Sequence, residues 1–230
     1  MQFQKIFIMD IAFYQSLTQT LPENVKLVAV SKTKPVEDIM TLYNLGQRVF
    51  GENKAQELQQ KHEQLPKDIE WHFIGHLQTN KIKYIAPFVS MIHSIDSFNL
   101  LAEVNKFALK NGRIIPCLLQ FHVAAEETKF GFNWEECEEM MQNPSFSSLQ
   151  NVDIRGVMGM ATLTDDTTQI RREFHQLHDY FNLLKNKYFA DKKSFTEISC
   201  GMTDDYPIAI EEGSTMIRIG SAIFGKRNYQ

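Results

Sequence analysis

Lys32 is the residue whose setting most invites chemistry. It ends the run Val25-Lys26-Leu27-Val28-Ala29-Val30-Ser31, an apolar, β-branched stretch followed by Thr33-Lys34-Pro35. Such a run between turn-formers reads as a strand of a parallel sheet, buried on both faces. Alternation puts Val28, Val30 and Lys32 on one face and Leu27, Ala29 and Ser31 on the other. Burial favours the neutral amine, the nucleophilic form. A free lysine titrates near ~10.4, and a catalytic one is tuned to roughly 7–8. Two readings follow from these residues alone: a nucleophilic amine, or a lysine that snorkels from a strand end into solvent. Lys34 has the same parity but stands beyond the apolar run, against Pro35, and is expected to be more solvated.

The second candidate lies near the C-terminus. Ser199-Cys200-Gly201-Met202-Thr203-Asp204-Asp205 joins an apolar strand to a helix expected over about 204–212, with Thr203 as its N-cap. Gly201 permits close backbone approach, and amides at a helix start attract anions, phosphate above all. The next strand ends Arg218-Ile219-Gly220-Ser221, with Met216, Arg218 and Gly220 on one face. An inward guanidinium needs an acceptor: a structural carboxylate, or an electron-rich atom of a ligand. Its charge would also help hold a nearby lysine neutral. Ser, Gly and Thr serve any strand-to-helix turn, so the phosphate reading and plain turn chemistry both stand on these residues.

The elements that must position these groups alternate. Strands are expected at 25–31, 48–51, 70–74, 91–95, 114–123, 154–158, 195–199 and 215–219. Helical periodicity separates them, and one further helix over about 10–19 precedes the first strand. Eight strand–helix units with no compositional break predict a parallel sheet closed into a single (β/α)8 TIM barrel, one domain over residues 1–230. An open doubly wound sheet is disfavoured because no GxGxxG follows the first strand. In a barrel, ligands sit at the C-terminal ends of the strands, and phosphate sites lie between the loops after strands 7 and 8. Strand 8 adjoins strand 1 on closure, so the phosphate cradle and Lys32 become neighbours.

Composition excludes several classes. The 230 residues are 43% hydrophobic and 23% charged, with net charge −4 and no basic run, so no nucleic-acid partner is expected. Three cysteines without a CxxC pair suggest a reducing compartment. The short apolar run Ile6–Met9 is below membrane or signal-peptide length, so the protein is read as cytoplasmic, without a membrane partner, and Met9 is a possible alternative start. His72, His93 and His122 near strand ends make a metal hydrolase thinkable, but no HxH or HExxH supports one. No added dimerisation element stands out, so a monomer is expected.

An amine at strand 1 and a phosphate cradle at strands 7 and 8 together suit a phosphorylated aldehyde, of which pyridoxal 5'-phosphate is the common example. At this point the chain resembles a known family. Ala29–Pro35, Phe50-Gly51-Glu52-Asn53, Trp71–Lys81, Lys129-Phe130-Gly131, Ser199–Asp205 and Gly213–Gly225 are similar, in order, to the motifs of the pyridoxal phosphate homeostasis proteins. The resemblance covers nearly the whole chain. It implies a fold-type III barrel like the N-terminal domain of alanine racemase, with the cofactor as a Schiff base on Lys32. It implies phosphate contacts from Ser199, Gly201, Met202, Thr203, Gly220 and Ser221, Asn53 near the cofactor, and Arg218 facing the pyridine nitrogen. Thr203 stands where serine is commoner, and His122-Val123-Ala124-Ala125 departs from the family pattern. An arginine there leaves the ring a weaker electron sink than a paired Asp would. The expected role is therefore cofactor binding, buffering and delivery, with PLP-dependent apo-enzymes as possible partners. A racemase-like enzyme and a Schiff-base phosphosugar aldolase are the alternatives.

Overall fold

In a computed structural model, residues 9–126 and 130–225 are described. Eight parallel strands form a closed barrel in the order β1 to β8. They are β1 (Lys26–Val30), β2 (Val49–Glu52), β3 (Glu70–Phe73), β4 (Met91–Ile95), β5 (Ile115–Gln120), β6 (Val152–Met158), β7 (Glu197–Ser199) and β8 (Met216–Ile219). The helices are α1 (Ile11–Thr20), α2 (Val36–Asn44), α3 (Ala55–Gln64), α4 (Ile82–Ile85), α5 (Phe98–Lys110), α6 (Trp134–Gln142), α7 (Thr167–Tyr188), α8 (Tyr206–Glu211) and α9 (Ser221–Phe224). The expected (β/α)8 architecture with a leading helix is thus present. Residues 1–8, which a start at Met9 would leave out, and Lys129 lie outside the described residues. No helix among the described residues is long and apolar enough to cross a membrane.

Parity sorts the core into two shells. Leu27 and Ala29 of β1 face outward into the large apolar layer beneath the helices, whereas Val28 joins Met91, Leu118, Met158 and Met216 inside the barrel. The β1–β8 register pairs Val28 with Arg218 and Ala29 with Ile219, which sets Lys32 and the β8 loop at one mouth. Several expected strands are shorter. β5 stops at Gln120 because Phe121 leaves the ladder for a bridge to Phe132, and β7 opens only at Glu197.

The sequence reads as a short helix over 76–84 and as a helix capped by Thr203 over about 204–212, and both starts differ in the structure. The segment after β3 runs extended through His76, becomes a 3-10 turn at Thr79–Lys81, and only then enters α4. Thr203 is not the N-cap of α8. The helix begins at Tyr206 with Pro207 in its first turn and Asp205 at the cap position. The Asp205 carboxylate turns back to accept from the Met202 N–H at 2.5 Å. The chain from Gly201 to Asp205 is therefore a loop in its own right, and the Thr203 hydroxyl is left for another partner.

Candidate functional site

The strand ends close around a cavity of about 380 Å³, whose wall includes Lys32, Asn53, Thr203, Arg218, Gly220 and Ser221. Lys32 follows Val30 on the interior-facing parity and is half-buried. Across the mouth, the Thr203 and Ser221 hydroxyls lie 3.2 Å apart, one from each of the loops after β7 and β8. Gly220 backs the same wall, where a Cβ would stand 3.2 Å from the Val30 carbonyl oxygen. Asn53, just past β2, presents a buried Oδ1 that accepts no hydrogen bond, an orphaned acceptor at the edge of a cavity.

Gly201 has φ +94°, a left-handed conformation, and a Cβ there would sit 2.7 Å from the Ala209 side chain. Only glycine fits this turn without strain. It supports the loop from behind, its carbonyl accepting from the Arg218 N–H at 2.9 Å. Met202 lies on the cavity wall, but its N–H is taken by Asp205. In this arrangement its amide points to Asp205 rather than into the cavity.

Ser199 stands apart from the other residues named for the phosphate. It is fully buried, beneath the cavity rather than on its wall, and its hydroxyl is engaged inside the barrel. Arg218 Nη1 donates to Ser199 Oγ at 2.7 Å and to the Ser199 carbonyl at 2.8 Å, and Nη2 donates to the Gly159 carbonyl at 3.1 Å. Ser199 Oγ lies 3.0 Å from His93 Nδ1, and His93 Nε2 lies 2.9 Å from His72 Nδ1. Arg218 can only donate, so it takes one acceptor site of the Ser199 hydroxyl, whose proton can then go to His93 Nδ1. In that arrangement His93 carries its proton on Nε2, facing His72 Nδ1. Burial holds both imidazoles neutral: His72 is pushed down to about 3, and His93 well below its ordinary value.

Of the two acceptors considered for Arg218, no carboxylate among the described residues takes a hydrogen bond from its side chain. Among the described residues its guanidinium donates to Ser199 and Gly159. His72 and His93 are interior residues of β3 and β4, not mouth residues, and the His122 ring bonds instead to the Glu126 carbonyl at 2.9 Å. Among the described residues, no group of three or more His, Cys, Asp or Glu side chains is placed to hold a metal ion.

Lys34 departs from expectation. It lines the same cavity as Lys32, and its ammonium donates to the carbonyls of Phe224 and Gly225 at 2.7 and 3.1 Å. The end of α9 folds over it, so it is half-buried, and burial lowers its pKa. Sequence reasoning also missed the residues beneath the Lys32 turn. Lys61 is buried and donates to the Ser31 carbonyl, to Glu52 and to Glu57. Its only sequence signal is the Glu57–Lys61 spacing, which ordinarily marks an exposed helical pair.

The barrel and its mouth define a class. Residues 13–228 match the family described as alanine racemase, N-terminal domain. Alanine racemase from Bartonella henselae shares the fold, with a TM-score of 0.68 at 15% identity over 95% of this chain and 60% of that one. Closer relatives narrow this. The pyridoxal phosphate homeostasis protein of Aquifex aeolicus is 40% identical over 205 residues, covering 89% of this chain and 88% of the relative. That of Synechocystis is 36% identical over 216 residues, covering 93% and 97%. PipY of Synechococcus elongatus, solved with PLP bound, superposes with a TM-score of 0.82 at 35% identity, covering 92% of this chain and 98% of that one. The chain belongs to the pyridoxal phosphate homeostasis protein family.

Proposed function

We propose that the chain binds pyridoxal 5'-phosphate in the barrel-mouth cavity, covalently on Lys32, and buffers or delivers it in the cytoplasm rather than turning over a substrate. The observation that carries this is the meeting, in one cavity, of the half-buried amine at the end of β1 with the Thr203–Ser221 hydroxyl pair. The residues present fit the cofactor. Asn53 offers an unpartnered acceptor, and Gly220 keeps the wall clear where a side chain would crowd Val30. When bound, pyridoxal phosphate supplies an aldehyde that a primary amine captures reversibly. Lys32 would hold that carbon, Thr203 and Ser221 the phosphate, and Arg218 would face the ring. Support for a carrier comes from Arg218: a guanidinium tied to Ser199 and Gly159 gives no proton readily. The names of the relatives point the same way.

The test is an absorption spectrum of the purified protein with added pyridoxal phosphate, then borohydride reduction and peptide mapping. A yellow protein carrying the pyridoxyl group on Lys32 is expected. A colourless protein left unmodified would overturn the cofactor reading in favour of the phosphosugar aldolase. Sustained racemisation or decarboxylation of an amino acid would overturn the carrier reading.

A further inference from the structure

The turn that carries Lys32 is strained, and the strain has a visible restraint. The Lys34 N–H donates to the Ser31 carbonyl at 3.0 Å, closing a β-turn with Lys32 and Thr33 at its centre. Thr33 has φ +62° and is the one non-glycine residue with positive φ among the described residues. This position of a type II turn normally takes Gly or Asn, and for a β-branched residue it is an outlier. Such conformations persist where the surroundings over-determine them, and they gather at functional sites.

Three ionic side chains supply that restraint. Lys61 Nζ spends its three protons on the Ser31 carbonyl at 2.8 Å, Glu52 Oε1 at 2.7 Å and Glu57 Oε1 at 2.8 Å. Glu52 Oε1 also accepts from Ser31 Oγ at 2.6 Å, and Glu57 Oε1 from the Thr33 N–H at 2.6 Å. The residues on either side of Lys32 are therefore both fastened to one cluster. That cluster is buried, with the side chains of Lys61 and Glu52 only 7% and 0% exposed.

We propose that Lys61, Glu52 and Glu57 form an ionic clamp that holds Thr33 left-handed and thereby aims the Lys32 amine into the cavity. They are positioning residues and touch no ligand. The clamp gives a role to the Glu52 of the Phe50–Asn53 motif, which the cavity itself does not use. This inference rests on the proposed role of Lys32, and its test separates the two.

Glu57 is the most exposed member, with 22% of its side chain accessible, so Glu57→Ala is the variant of choice. The measurement is the rate of pyridoxal phosphate capture at Lys32, trapped by borohydride, in a double-mutant cycle with Thr33→Gly. Glycine adopts positive φ without a restraint. Glu57→Ala is expected to slow capture at least tenfold beside Thr33, and less than threefold in the Thr33→Gly background. Glu57→Gln, which keeps an acceptor for the Thr33 N–H, is expected to lie within threefold of wild type. A merely structural loss would not be rescued by glycine. Equal slowing in both backgrounds, or no slowing in either, overturns the clamp. The same cycle read by reductive methylation of Lys32 with formaldehyde needs no pyridoxal phosphate. If wild-type protein captures none, the proposed function falls, and the methylation rates still decide the clamp.

Discussion

Acidification should loosen this barrel well before its carboxylates titrate as a class. His72 and His93 are buried and neutral, with proton affinities pushed down by burial, His72 to about 3. An unfolded histidine titrates near ~6.5. Between those values the unfolded chain binds protons that the folded chain refuses, so stability rises with pH. It is fully present above about 6.5 and is lost as pH falls toward the folded value. For His72, moving from pH 7.5 to 5.0 costs about 2 kcal/mol, and His93 acts in the same direction. His62, also lowered by burial, acts in the same direction. Glu52 and Asp205 oppose it, because burial raises their carboxyls and their folded forms gain protons first. The useful quantity is therefore a difference. Urea unfolding, followed by fluorescence of Trp71 and Trp134, should be compared for wild type and His72→Gln/His93→Gln across this range. Wild type should lose at least about 2 kcal/mol more than the variant. Parallel profiles would mean that the two imidazoles are solvated or already charged, and the directed hydrogen-bond chain to Arg218 would fall with them.

Three further outcomes follow from the site. Asn53→Ala removes an orphaned buried acceptor, so stability should stay within about 0.5 kcal/mol or rise, while pyridoxal phosphate affinity drops at least tenfold by spectroscopic titration. Gly201→Ala forces a left-handed turn on a residue with a Cβ and crowds Ala209. It should cost about 2–5 kcal/mol in chemical denaturation; a change under 1 kcal/mol would show that the loop is free to rearrange. Burial pushes the thiols of Cys137 and Cys200 up to about 12 and raises that of Cys117 as well. Native protein should resist iodoacetamide at pH 8, by intact mass, until urea unfolds it.

Much of this architecture was legible because it rests on short-range regularities. The parity of β1 put Val28 and Val30 on one face and Leu27 and Ala29 on the other, and the structure separates Val28 from Leu27 and Ala29 in the same way. The same rule turned Arg218 inward with Met216. What failed depended on contacts that sequence distance conceals. Thr203 looked like an N-cap, but Pro207 and the returning Asp205 carboxylate moved the start of α8. Lys34 looked solvated because nothing local shows that the end of α9, 190 residues away, closes over it. Glu57 and Lys61 went unremarked, because only the tertiary fold brings Ser31 and Glu52 against Lys61. The His72–His93 contact depends on the stagger of β3 against β4, which no local periodicity reports.

Ser199 separates two accounts of how the strand 7 end works. The resemblance makes it a phosphate contact, whereas the structure makes it the joint between Arg218 and His93. The accounts differ in what Ser199→Ala should do. A phosphate contact at a cavity wall would lose affinity at little cost in stability, and inorganic phosphate would compete less well against the variant. A buried joint loses a bond from a charged donor at 2.7 Å and strands His93 Nδ1, which costs about 2–3 kcal/mol whether or not ligand is present. Arg218 would keep its bonds to the Ser199 and Gly159 carbonyls, so it should stay inside the barrel but pivot. The absorption maximum of the bound chromophore should then shift, while competition by inorganic phosphate stays as in wild type. A variant as stable as wild type but deaf to inorganic phosphate would return Ser199 to the cavity wall. It would also leave Thr203 and Ser221 as two members of a larger cradle.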